Sequence, residues 1–241
     1  MLAFLVSFAL AAPCEATLDA RPVRQTGGRC LAAAAATAIS ARGGRIDPQT
    51  LAPQLPLGRN GEDPYDLQVA LQPLGWDTLV FEGSIDEGAR LLEAGFAPVV
   101  FVADSGTPHA VTIAGVRRRP TPDGRCLGAV EHVGIIDPRR GTLDWTSAAD
   151  LVRHGDGSRM LVSFETTVRS TLDDAGFDLR AATRSDRRYR AESLIARAEA
   201  RREPDAESIA LLERAAAADP TWPEPRRLLA IHRQALLDPP P

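Results

Sequence analysis

Three residues of the 241-residue chain stand where their chemistry can be combined: Cys30, His109 and Asp137. Cys30 opens CLAAAAATAISARGG, a run free of helix breakers until Gly43-Gly44, so the spacing predicts a helix that begins at or next to the cysteine. His109 starts the apolar stretch His109–Arg118, and Asp137 ends the stretch Cys126–Asp137. If these two predicted strands pair as a hairpin, the start of one lies beside the end of the other, and His109 meets Asp137. A cysteine nucleophile needs that arrangement. A helix N-terminus favours the thiolate, an imidazole takes its proton and later returns one to a leaving group, and a carboxylate fixes the imidazole tautomer. Gln25, in Arg24-Gln25-Thr26-Gly27-Gly28-Arg29-Cys30, offers a side-chain amide to a developing oxyanion, with the Cys30 N–H as second donor.

Each residue also has a plainer reading. Cysteine in an alanine-rich helix is commonly a small buried hydrophobe, and histidine at a strand end bonds to backbone. Asp137-Pro138 is a natural turn opener, and Gln25 suits an exposed loop. Cys126 is assigned to the hairpin or an exposed strand start. His132, His154 and His232 lack metal-ligand spacing, so neither metal nor cofactor is expected. Trp76 and Trp145 read as core or groove-wall aromatics, and Arg117-Arg118-Arg119 as a solvated turn flank.

The positioning elements follow from local signals. Asp47-Pro48 and Asp63-Pro64 each set a capping carboxylate before a first-turn proline, predicting helices over Pro48–Gln54 and Pro64–Leu74. Ser84 with Glu87 forms a capping box for a helix closed by Gly95. Strands are predicted at Trp76–Glu82, Ala97–Ala103, His109–Arg118, Cys126–Asp137 and Arg159–Phe164, with Pro120-Thr121-Pro122-Asp123-Gly124 as a turn. Helices first and an antiparallel sheet second is an α+β arrangement. After a polar stretch, residues 167–184, helices are predicted over Ser185–Arg202, Ala206–Asp219 and Pro223–Leu237. The segment ALLERAAAADPTWPEPRRLLA resembles about one and a half tetratricopeptide repeats. A plain helical cap on the first domain is the other reading, since solenoids normally need about three repeats.

With these residues in order, the chain resembles the bacteriocin-processing peptidases of family C39, in the papain-like superfamily. The resemblance rests on Gln25-x4-Cys30 opening an alanine-rich helix, Pro108-His109-Ala110-Val111 opening a strand that reaches Gly115, and Ile135-Ile136-Asp137-Pro138 followed by Gly141. It covers roughly 25–164, and is nearest the stand-alone bacterial forms that carry an export signal and a tetratricopeptide-like tail. It implies a papain-like fold over 17–166 with a Cys-His-Asp triad and a glutamine oxyanion hole on Cys30, His109, Asp137 and Gln25, and a peptide or protein substrate. One departure is visible: the family usually has glycine after the nucleophile, and here Leu31 stands there, either narrowing access to the thiol or packing inward. A catalytically silent peptide-binding scaffold, whose helical tail recruits a protein partner, remains an alternative. So does an amidase or transpeptidase acting on a cell-envelope substrate.

Composition narrows the field further. All 28 basic residues are arginine, which removes Schiff-base, lysine-base and P-loop chemistry. Net charge is −4, and neither side of Thr166 carries an excess of arginine over acid, so no polyanion-binding surface for nucleic acid is expected. Cys14, Cys30 and Cys126 read as too few and too scattered for a disulfide framework or a four-ligand zinc site. The apolar run Met1–Ala12 is too short to cross a bilayer as a helix. It suits the apolar core of an export signal over 1–16, cleaved at Ala11 or Ala16, although no positive charge precedes it. Export with a lipid on Cys14, and a cytoplasmic protein with an ordinary first helix, are the other readings.

Overall fold

The computed structural model describes residues 14–58, 61–104, 107–153, 159–168, 172, 177–201 and 203–237. The whole apolar run Met1–Ala12, with all but the last three residues of the expected export signal, and His154 lie outside them. The predicted α+β class is the observed one. Among the described residues, seven antiparallel strands form one sheet: β1 (Cys14–Thr17), β2 (Trp76–Glu82), β3 (Val99–Asp104), β4 (Thr107–Arg118), β5 (Val130–Ile136), β6 (Leu143–Ser147) and β7 (Arg159–Glu165). Their order is β2-β7-β3-β4-β5-β6. β4 is long enough for two neighbours on one edge, β3 along residues 107–112 and β1 along 115–118.

Strand alternation gives the sheet two apolar faces. Val80, Val99, Ala110 and Leu161 pack against α1 (Cys30–Ser40), α2 (Pro48–Leu51) and α3 (Pro64–Leu71). Leu79, Phe81, Val100, Val111 and Val162 pack on the other side, against α4 (Ile85–Glu93) and Leu151 of α5 (Ala148–Arg153). Leu31 through Ile39 are all buried, so α1 is enclosed around its whole circumference. Only a helix made mostly of alanine lets its neighbours approach that closely on every side. The caps read from sequence are formed: Asp47 and Asp63 accept from the N–H groups of Gln49 and Tyr65, and Ser84 and Glu87 close a capping box.

The free edge of the sheet, β2, is covered. The Val80 N–H donates to the Asp186 carboxylate at 2.9 Å, the Glu82 N–H to the Ser185 hydroxyl at 3.1 Å, and the Gln68 amide to the Thr78 carbonyl at 2.9 Å. Ser185 and Asp186 lie on α6 (Leu179–Glu199), which begins six residues before the predicted Ser185 start. α6, α7 (Ala206–Ala218) and α8 (Glu224–Leu237) share a small core of Leu194, Ile195, Leu212 and Leu228.

Three expectations are corrected. Cys14 and Cys126 form a disulfide, 112 residues apart in sequence, where no bridge was foreseen. It forms because β1 sets Cys14 opposite Arg118, next to the β4–β5 connection that carries Cys126. That bond consumes the Cys14 sulfur, so Cys14 is not a lipid attachment point, and Cys14–Thr17 being a strand argues against cleavage at Ala16. The arginines 117–119 are a solvated flank only in part: Arg119 is exposed, while the Arg118 side chain is largely buried. Each pairs with acid: Arg117 with Glu15, Arg118 with Asp86 and Glu93, and Arg119 with Glu131. Among the described residues, no helix is long and apolar enough to cross a membrane.

Candidate active site

Cys30 is the first residue of α1, His109 the third of β4, and Asp137 follows directly on the last residue of β5. The approach to Cys30 is an extended segment along α1, held where the N–H groups of Arg21 and Val23 donate to Ser40 Oγ and Thr37 Oγ1 at 2.7 and 2.9 Å. Gly27 and Gly28, with φ of 50° and 38°, then turn the chain into the helix through conformations that favour glycine. Register does the rest. β4 pairs with β5 so that Thr112 faces Ile136, which places Asp137 beside the start of β4.

His109 Nε2 lies 2.8 Å from Asp137 Oδ1. The Cys30 thiol is its other titrating neighbour, and each shifts the titration of the other. His109 is 3 % exposed and Cys30 half-buried. Asp137 is held in turn by the Arg139 N–H at 2.8 Å, and its carbonyl accepts from Arg140 and Gly141, which fixes the turn.

The electrostatics shift the two titrating groups in opposite directions, each toward the other's ordinary value. Burial pushes the Cys30 thiol up, and the His109 hydrogen bond, the Ala110 backbone N–H and the His109 charge outweigh it, leaving the thiol below its ordinary value. Burial pushes His109 down, and its bonds and charge interactions with Cys30 and Asp137 outweigh that, leaving it above the usual imidazole value. This is the pattern of a thiolate–imidazolium pair.

Gln25 is tied to the same corner through its backbone, whose N–H donates to the Pro138 carbonyl at 2.9 Å. Its side-chain oxygen is buried with no hydrogen-bond partner. Leu31 is 1 % exposed and packs into the core, so of the two readings of the missing glycine the inward one holds. Sequence reasoning missed Glu62, whose fully buried carboxylate accepts from the Ala32 N–H at 3.0 Å and from Arg29 at 3.2 Å. No local motif announces a contact spanning 30 residues.

A cavity of about 670 Å³ lies between β3, the segment leading into α3 and α6, and neither Cys30 nor His109 lines it. Phe101, Val102 and Pro108 line it next to His109, Glu62 lines it next to α1, and Tyr189, Ser193 and Ala196 of α6 form its far wall. Among the described residues, no cluster of histidine, cysteine and acidic side chains is arranged to hold a metal ion.

No family model and no curated protein matches the chain. Among solved structures it is similar to the peptidase domain of Streptococcus ComA, a bi-functional ABC transporter involved in a quorum-sensing pathway. There the TM-score is 0.45 and the identity 16 %, over 59 % of this chain and 94 % of that one. A double glycine motif protease from an AMS/PCAT transporter, solved in complex with its leader peptide, gives 0.43 and 15 % over 63 % and 99 %. The peptidase C39 like domain of a toxin secretion ATP-binding protein from Vibrio parahaemolyticus gives 0.38 and 13 % over 58 % and 94 %.

Proposed function

We propose that the chain is a cysteine peptidase of the C39 type, acting on a peptide or protein substrate through Cys30, His109 and Asp137. The observation that carries the reading is His109, buried, bonded to the Asp137 carboxylate at 2.8 Å and coupled in its titration to the Cys30 thiol. In the proposed reaction the Cys30 thiolate attacks the scissile carbonyl carbon, and the carbonyl electron pair moves onto oxygen. That oxyanion is met by the Gln25 amide and by the Cys30 N–H, a first-turn amide with no acceptor inside its own helix. The imidazolium then gives its proton to the leaving amine, the C–N bond breaks and a thioester remains. Water, deprotonated by the now neutral His109, attacks the thioester, and the thiolate leaves with the proton held on the imidazole. The 670 Å³ cavity reaches Glu62 and Pro108, neighbours of α1 and of His109, and is proposed to take substrate residues away from the scissile bond.

Incubation of the full chain with a pool of casein-derived peptides, read by mass spectrometry, tests this. New peptide termini should form with the native chain and be absent with Cys30→Ala and His109→Ala. Equal products from all three would overturn the reading.

The Cys14–Cys126 disulfide supports a second element, export to an oxidising compartment, where such bridges persist. Recovery of the secreted chain with only one thiol open to alkylation before reduction would agree, and recovery of three from a cytoplasmic pool would not. Residues 185–241 are further proposed to be a tetratricopeptide-like segment.

A further inference from the structure

We propose that Glu62 is a positioning residue for Cys30, and that α6 holds Glu62 in place through its neighbour Asp63, so that the C-terminal helix is a working part of the site. The inference rests on the Cys30–His109 reading above and adds to it how the thiol is held.

α1 has no cap of its own. Its N-cap residue, Arg29, makes no side-chain capping bond, and the first turn carries no acid. The carboxylate that fills this role comes from outside the helix. Glu62 has no exposed side-chain area, and one of its oxygens accepts from the Ala32 N–H while the other meets Arg29. Arg29 also donates to the Leu55 carbonyl at 2.9 Å, which joins the same loop to the turn that presents the thiol. The Glu62 carboxylate therefore lies two residues along from the sulfur, at the helix end where a thiolate would also be favoured. The groups facing the thiol are thus opposed: His109 from β4, backed by Asp137, draws it toward the anion, and Glu62 repels that anion.

Glu62 is fixed from both sides. Before it, Gly58 and Gly61 exchange two backbone bonds, at 2.9 and 3.2 Å. After it, the Asp63 carboxylate accepts from the Tyr65 N–H and from three donors on α6: Tyr189 Oη and Ser193 Oγ, each at 2.6 Å, and Arg197 at 2.8 Å. Burial pushes Asp63 up, but these donors outweigh it and keep the carboxylate ionised below its usual range. Three side chains of one helix converge on the residue adjacent to the one that anchors α1.

The test is the pH profile of Cys30 alkylation by iodoacetamide, followed by mass spectrometry in the full chain, with thermal melts to establish folding. Glu62→Gln keeps an acceptor for Ala32 but removes the charge, and should move the profile down by about one pH unit. Arg29→Gln leaves that charge unneutralised and should move it up. The double variant Tyr189→Phe with Ser193→Ala frees Glu62 and should shift the profile in the direction of Glu62→Gln by a smaller amount. Added to Glu62→Gln it should give no further shift. Unmoved profiles in folded Glu62→Gln and Arg29→Gln variants, or a fully additive α6 effect, would overturn the inference. If Glu62→Gln does not fold, the sign of the Arg29→Gln shift decides. An ordinary thiol profile in the native chain would instead overturn the Cys30–His109 reading itself.

Discussion

At the scale of single residues, the site works by leaving two titrating groups poised as a pair. The thiol lies below its ordinary value and the imidazole above it, each because of the other, so they titrate as a unit. Acyl transfer needs both the thiolate and a protonated imidazole, so it should run between the pH at which one is lost and the pH at which the other is lost. As pH falls through the lowered thiol value, the nucleophile is protonated. As pH rises through the raised imidazole value, the proton for the leaving amine is lost. Turnover on a peptide substrate should therefore trace a bell. Asp137→Asn keeps the shape but removes the charge behind His109, and should lower turnover about 10²–10⁴-fold while leaving the melting temperature nearly unchanged. Equal turnover in the variant would show that Asp137 is only a turn residue. Leu31 makes the opposite case. Because it is buried in the core, Leu31→Gly should not open the thiol to faster alkylation, but should lower stability by about 3–6 kcal/mol in urea unfolding, through cavity formation and a glycine in the first turn.

At the scale of elements, what the sequence made legible was local or periodic. The start of α1 at Cys30 followed from an unbroken helical run, and the Asp63 and Ser84 caps from their spacing. The approach of His109 to Asp137 followed from strand order alone, because a hairpin joins one strand's end to the next one's start. β1 and β6 escaped notice, being four and five residues long with weak alternation. The docking of α6 escaped for another reason: Asp186 sits in an arginine-rich stretch that reads as solvated, yet it is buried against the edge of β2. Removing its carboxylate strands the Val80 N–H and takes one of its two acceptors from the Gln68 amide. Asp186→Ala should therefore cost about 1–3 kcal/mol in urea unfolding, well above an exposed substitution on the same helix, such as Arg187→Ala. A value near zero would mean that α6 does not protect this edge.

At the scale of the whole molecule, two long-range ties close the structure: the disulfide from the first strand to the β4–β5 connection, and α6 lying along the other end of the sheet. Neither has a sequence signal, since one joins cysteines 112 residues apart and the other sets Asp186 against Val80, 106 residues away. The bridge closes a long loop in the unfolded chain, so Cys14→Ser with Cys126→Ser should lower stability by about 4–5 kcal/mol on the chain-entropy model. Differential scanning calorimetry of the two forms would measure it. Alkylation of Cys30 should be unaffected in the variant while it stays folded, because the bridge lies outside the site.

The central claim is that Cys30 is an activated thiol and His109 the group that activates it. The rate of Cys30 carboxamidomethylation against pH, in the native chain and in His109→Ala, tests it most directly. The account predicts fast alkylation with an inflection clearly below the ordinary thiol value of about 8.5 in the native chain, returning to or above that value when His109 is removed. An inflection near 8.5 in both, with equal rates, would contradict it.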